Sequence, residues 1–158
     1  MKVEIILYEE KYYHEVINLK LKEDDLKEVE ASTGLTYRRV LQKTVNTYKD
    51  SMYLIMYEGT VSGIFGVVPS AELGKGIGYL LTDERINEYK WDMAKYTISV
   101  FMHLLKMFPI ITNYVSSEHK TSVRWLRKLG ARIDPKPVLL ADKKVPFYKF
   151  ELRRQDYV

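Results

Sequence analysis

The longest helical pattern in the chain constrains the fold most. Asp83-Glu84 opens the pattern, with Asp83 as a candidate N-cap. Apolar residues then follow one helical face from Ile86 to Phe108, and Pro109 ends the pattern. A helix of about 24 residues is roughly 36 Å long at 1.5 Å per residue. Apolar strand patterns flank it at Ile77–Thr82 and Ile110–Val115. A long helix between two strands predicts a mixed α/β chain.

Shorter patterns complete the predicted order β-α-α-β-β-β-α-β-α-β-β. Glu58-Gly59-Thr60 is typical of a hairpin turn, and Gly130 of a helix stop. Ser116 or Ser117 is the predicted cap of the second long helix. The other predicted strands are Val3–Tyr8, Met52–Tyr57, Val61–Val68, Ala131–Ile133 and Pro146–Leu152, and the other predicted helices are Tyr12–Leu21, Thr36–Tyr48 and the one ending at Leu129. We expect one domain over residues 1–152 and a loose tail over 153–158.

Composition narrows the function classes. The 158 residues contain no cysteine, which excludes disulfide scaffolds, cysteine metal sites and thiol nucleophiles. Residues 1–84 hold 10 basic and 14 acidic side chains, a net charge of −4, whereas residues 85–158 hold 15 and 7, a net charge of +8. This division predicts two surfaces with different partners, with an anionic ligand on the basic half. No signal peptide and no apolar run of about 20 residues is visible, so we expect a cytosolic protein without a membrane span.

The element order resembles the GNAT (Gcn5-related N-acetyltransferase) fold. The most specific segment is ITNYVSSEHKTSVRWLRKLGARI, which resembles the family's strand–helix unit. His119 takes the place of the family's Asn, Ser122 that of its small residue, and Trp125-Leu126 that of its apolar pair, before Leu129-Gly130. The resemblance implies a central, mostly antiparallel sheet with a splayed parallel pair, flanked by about four helices. It also implies acetyl-CoA as the cofactor, and no metal.

A closer resemblance covers most of the chain. The segments KEDDLKEVEASTG, YLLTDER and PFYKFEL, with Asn113–Gly130, are similar to the GNAT-like proteins of tailed phages. That family includes an internal virion or assembly protein of the T7-like phages. The resemblance implies a location in the cytoplasm of an infected bacterial host or in the virion, with phage structural proteins as partners.

The segment that would bind the cofactor departs from the family pattern. The resemblance places the pyrophosphate of acetyl-CoA at the loop after Leu81 and Thr82, where the enzymes have glycines and exposed N–H groups. This loop has no glycine, and it places the carboxylates of Asp83 and Glu84 where phosphates would lie. The earlier run Gly74-Lys75-Gly76-Ile77-Gly78 precedes a strand, so a loop or strand-entry role is predicted for it.

The candidate catalytic residues are Glu84 as the base and His119 as the acid. Glu84 follows the central strand, and an imidazole is well suited to proton transfer near neutral pH. The family's usual acid is a Tyr, and Leu126 stands at that position. Tyr114 and Ser117 are nearby substitutes. The alternative interpretation of His119 is a solvent-facing residue in the first turn of a helix.

Two charged groups are candidate binding surfaces. Acidic residues cluster before the first break in the chain, where the resemblance places an acceptor, and a cationic amine or protein acceptor would suit them. They are Asp24, Asp25, Glu28 and Glu30, with Glu30 and Glu28 also alternative bases. Basic residues recur on one helical face and can meet the phosphates of CoA, a nucleic acid or an acidic protein. They are Lys120, Arg124, Arg127 and Lys128. A solvated helix face is the alternative for both groups.

Three function classes remain at this point. The first is a phage-type, acetyltransferase-like protein with degenerate or absent catalysis, serving in virion assembly. The second is an active N-acetyltransferase that acts on a cationic amine. The third, a nucleic-acid binder, rests on the basic half alone and is the least favoured, because no dense basic run supports it.

Overall fold

A computed structural model of the chain describes residues 2–157 and, within them, all side chains except those of Ala94 and Thr97. Eight strands form one mixed sheet in the order β1-β2-β3-β4-β5-β8-β6, and β7 also pairs with β8. The strands are β1 (Val3–Leu7), β2 (Met52–Tyr57), β3 (Thr60–Pro69), β4 (Lys75–Thr82), β5 (Ile110–Ser116), β6 (Arg132–Ile133), β7 (Val138–Leu139) and β8 (Pro146–Arg153). The α-helices are α1 (Tyr13–Ile17), α2 (Glu23–Thr33), α3 (Tyr37–Tyr48), α4 (Ile86–Met107) and α5 (Lys120–Lys128).

Most neighbouring strands are antiparallel, and β4 and β5 are the parallel pair. Their pairing covers only three positions, from Lys75 opposite Ile110 to Ile77 opposite Thr112. Beyond these positions the two strands diverge, and β5 instead pairs along its whole length with β8. The predicted fold class is therefore confirmed, including the splayed parallel pair in a mostly antiparallel sheet.

Helices cover both faces of the sheet. On one face, α1 and α3 bury Val16, Leu41 and Val45 against Leu54 and Ile64. On the other face, α4 packs its buried residues against the alternate side chains of the same strands; these include Tyr89 and Met93 against Ile55 and Phe65. Because both faces of β2 are buried, its sequence MYLIMY is nearly continuous in apolar residues.

The β2–β3 hairpin follows the sequence prediction. Glu58 and Gly59 have φ angles of 50° and 83° and form a two-residue turn with the hairpin-favoured left-handed backbone. Gly74, at φ 80°, turns the chain into β4, and Gly76 and Gly78 lie within that strand. An added Cβ at Gly78 would come within 2.8 Å of Ile111 Cγ2, so close packing explains the glycine. The predicted strand-entry role of this run is confirmed.

Three predicted features differ from the structure. The acidic segment forms a full helix, α2, because Glu23, Asp24 and Asp25 occupy its first turn, where carboxylates favour a helix, and Gly34 ends it at φ 71°. The long helix α4 begins at Ile86, because Asp83 forms a bridge with Leu21 and the next two residues form a turn. Likewise α5 begins at Lys120, after a turn in which Ser116 Oγ accepts from the N–H of Glu118, so neither predicted serine caps the helix.

The predicted loose tail is wrong for its described part. Residues 154–157 form a 3₁₀ helix, and Val158 lies outside the described residues. Arg154 donates to the backbone carbonyls of Leu105 and Lys106, 2.6 Å away in each case. Arg132 donates two hydrogen bonds to Asp156, and Tyr157 donates to the Leu129 carbonyl. These contacts tie the segment to the ends of α4 and α5.

Across residues 2–157 no helix is both long and apolar enough to cross a membrane.

Candidate functional site at the opening between two parallel strands

The opening between β4 and β5 is set by the side chain of Asn113. Its Nδ2 donates to the Gly78 carbonyl of β4 at 2.5 Å, and its Oδ1 accepts from the N–H of Tyr114 on β5 at 2.8 Å. The amide therefore takes the place of the next direct bond between the strands, because it satisfies one group on each of them. Beyond Asn113 the strands separate. Because the backbone groups of Gly78 and Thr82 point away from β3, those of Leu80, midway between them on β4, face the gap.

Helix α2 is fastened to the β4 side of the gap by Asp25. This carboxylate is 7% exposed, and it accepts from the backbone N–H of Thr82 at 2.9 Å and from Lys22 Nζ at 2.8 Å. The N–H of Lys22 donates to the Thr82 carbonyl at 2.9 Å, and Leu21 forms an antiparallel bridge with Asp83. The edge of β4 at Thr82 is therefore paired with the chain's own α2 segment. Such burial does not fit the predicted role of Asp25 in binding an acceptor.

The next turn of α2 reaches the β5 side of the gap. Glu28 Oε2 lies 3.0 Å from His119 Nδ1, and Asp24 Oδ2 lies 3.8 Å from His119 Nε2. Ser122 Oγ is 3.0 Å from Nε2, and His119 is only 9% exposed. His119 is thus a packed residue with polar partners, unlike the solvent-facing alternative. Together with Asp25, these contacts place α2 across the mouth of the opening.

The N-terminus of α4 is satisfied by its own loop. Asp83 Oδ1 accepts from the N–H of Arg85 at 3.0 Å, and the N–H groups of Ile86, Asn87 and Glu88 donate to the carbonyls of residues 83, 84 and 85. The first N–H groups of a helix are those that commonly bind a phosphate. Here every one of residues 85–88 donates within the loop.

Asp83 also anchors this loop to β3. Its Oδ1 accepts from Ser62 Oγ at 2.7 Å, and Ser62 Oγ lies 2.7 Å from Tyr89 Oη. Arg85 donates through Nε and Nη2 to Asp83 Oδ2, and the Arg85 guanidinium lies 5.8 Å from the centre of the Tyr57 ring. Asp83 thus has contacts well beyond the helix cap that the sequence suggested. The positive charge of Arg85 is paired within the loop.

The pyrophosphate of acetyl-CoA does not fit these residues. Its oxygens would need the N–H groups that already donate within the loop, and they would lie beside the carboxylates of Asp83 and Glu84. Leu126, at the position of the family's Tyr, is 6% exposed and packs against Val115 and Val123. The position therefore carries no hydroxyl, and its side chain is part of the core.

The remaining predicted site residues are spread around the opening. Glu84 is exposed, and none of the described residues hydrogen-bonds to its carboxylate. Leu81 packs into the core beneath α1 and α3, and Tyr114 is half-buried on β5. Glu30 is exposed on α2, two turns from Asp24. The structure thus brings Glu28, His119 and Ser122 together and leaves Glu84 apart from them.

The basic residues of α5 lie on its outer surface. Lys120, Arg124, Arg127 and Lys128 are all exposed, and no ion pair to them occurs within residues 2–157. The helix is strongly amphipathic, with Val123 and Leu126 buried on the opposite face. Among the described side chains no group of three His, Asp or Glu is arranged to hold a metal ion.

Sequence reasoning missed the residues that shape the opening. Asn113, Arg85 and Ser62 form hydrogen bonds to groups 21 to 35 positions away along the chain, and the N–H of Lys22 donates to the Thr82 carbonyl, so no local spacing in the sequence reports them. One signal was available for Asn113, since a polar amide within an apolar strand pattern marks a site where the ladder is interrupted.

Comparisons with known proteins bear on the fold. No family model matches the chain, and no curated protein has a significantly similar sequence. Solved structures do match. A GNAT-family acetyltransferase from Bacillus anthracis aligns with a TM-score of 0.70 at 13% identity, covering 98% of this chain and 96% of that chain. A GNAT-family acetyltransferase from Streptococcus pneumoniae aligns with a TM-score of 0.65 at 14% identity over 96% and 99%.

A third match includes a bound cofactor. The spermidine N-acetyltransferase of Vibrio cholerae, solved in complex with CoA and spermine, aligns with a TM-score of 0.69 at 8% identity, covering 98% of this chain and 97% of that chain. Identities this low carry information on fold alone, and all three alignments span nearly the whole of both chains. The chain has the fold of the GNAT acetyltransferases.

Proposed function

We propose that this chain is a phage-type GNAT-fold protein that does not use acetyl-CoA and that serves in virion assembly or as an internal virion protein. The observation that carries the first part is the closed N-terminus of α4, where Asp83 and the loop carbonyls accept from the N–H groups of residues 85–88. The phage part rests on the sequence resemblance of segments such as KEDDLKEVEASTG and PFYKFEL.

The absence of cofactor binding is tested by calorimetric titration of the purified chain with acetyl-CoA and with CoA. We expect no heat of binding at millimolar ligand, whereas the Vibrio cholerae spermidine N-acetyltransferase, which was crystallised with CoA, serves as the positive control. Micromolar affinity for this chain would overturn the proposal. The reason for the expected result is electrostatic, since a polyanion would lie beside Asp83 and Glu84 without replacing their hydrogen bonds.

The virion role is tested through the gene and the particle. We expect the gene to lie among head and tail genes, and mass spectrometry to find the protein in purified particles or in assembly intermediates. A genomic position without structural phage genes, or normal particle yield and infectivity after deletion of the gene, would overturn this part. Either result leaves the calorimetric result unaffected, so the two parts fail separately.

A second candidate is an active N-acetyltransferase for a cationic amine. The observation that favours it is the cluster of Asp24, Glu28, His119 and Ser122 at the mouth of the opening, where carboxylates attract a cation and an imidazole can exchange a proton. Release of thiol from acetyl-CoA in the presence of spermine would support this candidate. It would require equal loss of rate in His119→Ala and Glu28→Gln, with Glu23→Gln, exposed on the same helix, as the matched control.

A further inference from the structure

The outer face of α4 carries a stripe of exposed apolar side chains. Trp91 is 76% exposed, Ile98 is 47% exposed and Met102 is 38% exposed. Their spacing of seven and four residues puts them on one side of the helix. A large indole with three quarters of its surface in water is unusual in a protein whose other tryptophan, Trp125, packs against the core. The stripe is therefore a surface that an apolar partner would cover.

An apolar crevice lies beside the same stripe. It is lined only by apolar atoms, among them those of Met102, Leu105, Leu129 and Tyr157. Leu105 is seven residues beyond Ile98, and Trp91 is seven residues before it. Each interval of seven residues is about 10.5 Å along a helix. Ile98, which itself lines the crevice, is thus midway along α4 between the exposed Trp91 and Leu105, a crevice residue that is only 2% exposed.

Two oppositely charged residues lie at similar distances along α4 on either side of Ile98, six residues before it and eight residues after it. Asp92 is exposed beside Trp91, Lys106 is exposed beside Leu105, and neither forms an ion pair within residues 2–157. In two antiparallel helices related by a two-fold axis near Ile98, the residues on one flank of the first helix meet those on the same flank of the second. Asp92 of each copy then lies within about two residues, or roughly 3 Å of axial shift, of Lys106 of the other.

We propose that this face binds a second copy of the chain through antiparallel pairing of α4 with its symmetry mate. Trp91 of each copy covers the crevice at Leu105 of the other, Ile98 packs on Ile98, and Asp92 pairs with Lys106 twice. Antiparallel helix dipoles add to the attraction. The area available on one helix face belongs to the small, transient class of interfaces, below about 1,200 Å² in total. The proposal does not depend on whether the opening binds a cofactor.

The test is sedimentation velocity of the full chain over a concentration series. We expect a monomer–dimer equilibrium with a dissociation constant between about 10 µM and 1 mM. Asp92→Lys and Lys106→Asp, each alone, place like charges opposite each other and weaken dimerisation at least about fivefold, because each symmetric dimer contains the contact twice. The double variant Asp92→Lys/Lys106→Asp restores the opposite-charge pairs and returns the constant to near the starting value.

Controls separate this pairing from general effects of charge. Lys136→Asp makes the same charge change as Lys106→Asp on an exposed loop away from α4, and it leaves the constant unchanged. Trp91→Ala weakens the dimer at least about tenfold while circular dichroism shows an intact fold. A monomer throughout the series, or a double reversal that stays as weak as the single ones, would overturn the proposal.

Discussion

Removal of the Asp25 carboxylate tests whether α2 is fastened across the opening as described. In Asp25→Ala the buried N–H of Thr82 loses its acceptor at 2.9 Å, and the ammonium of Lys22 loses its partner at 2.8 Å. Hydrogen bonds to a charged group contribute about 1.5–3 kcal/mol each. The Lys22 side chain is 19% exposed, so water recovers part of its share. We expect a loss of about 3 kcal/mol in the free energy of unfolding.

Urea unfolding monitored by circular dichroism measures this loss. With a slope of about 2 kcal/mol per molar urea, the midpoint moves down by about 1.5 M. Asp25→Asn keeps an oxygen for the Thr82 N–H but loses the attraction to Lys22, so we expect it to lose only about 1–2 kcal/mol. Glu30→Ala, exposed on the same helix, is the matched control and stays within about 0.5 kcal/mol of the wild type.

Amide exchange localises the effect. The amides of β2 lose only the protection that follows from the lower free energy of global unfolding, whereas the N–H of Thr82 exchanges faster through local opening as well. If Asp25→Ala unfolds at the same urea concentration as Glu30→Ala, the carboxylate does not fasten α2. If the Asn and Ala variants lose the same amount, the hydrogen bond from the Thr82 N–H to residue 25 does not contribute to stability.

Three further changes test other contacts. Asn113→Asp cannot donate to the Gly78 carbonyl, so urea unfolding should show a loss of about 1–3 kcal/mol, against almost none for an exposed Asn87→Asp. Burial raises the pKa of Tyr89 to about 12, so folding favours the neutral phenol. The stabilisation from this preference is complete below a pH of about 10 and is lost as the pH rises toward 12. The melting temperature of Tyr89→Phe should therefore fall less across that pH range than the melting temperature of the wild type. The two hydrogen bonds from Arg132 lower the pKa of Asp156, so their contribution is present above pH of about 4 and is lost as the pH falls; Asp156→Asn should expose the C-terminal 3₁₀ helix to faster amide exchange at neutral pH.

The elements that depend on local pattern were predictable from the sequence. The β2–β3 hairpin needs only two apolar runs and a turn with a left-handed glycine, and all of this information lies within 18 residues. The end of α4 before Pro109 is equally local, because proline cannot continue the helix. The start of α4 was predicted three residues too early, at Asp83. This residue bonds to Ser62 and Arg85 before the helix begins, and a local sequence pattern gives no information on a partner 21 residues away.

The candidate site was predictable in composition and not in arrangement. The acidic segment and His119 were both identified, but their contact joins residues 91 positions apart, and only the folded sheet brings α2 over α5. Asp25 and Glu28 are three residues apart and are similar in sequence terms, yet one is buried against β4 and the other faces an imidazole. Asp25 and Glu28 differ because tertiary packing directs their side chains to opposite sides of the opening.

Contacts within the chain hold the opening between β4 and β5 in place. Asn113 separates β4 from β5 by bonding to both, so the splay is a property of the strands themselves. The groups that a polyanion would use, at Thr82 and at residues 85–88, instead bond to Asp25, Asp83 and the loop carbonyls. A carboxylate in each place supplies the acceptor oxygens that a bound ligand would supply, so the fold stays satisfied without one. Binding of a polyanion at these groups would therefore need more than added glycines, because both carboxylates would first have to be replaced without leaving the N–H groups of Thr82 and Arg85 unpaired.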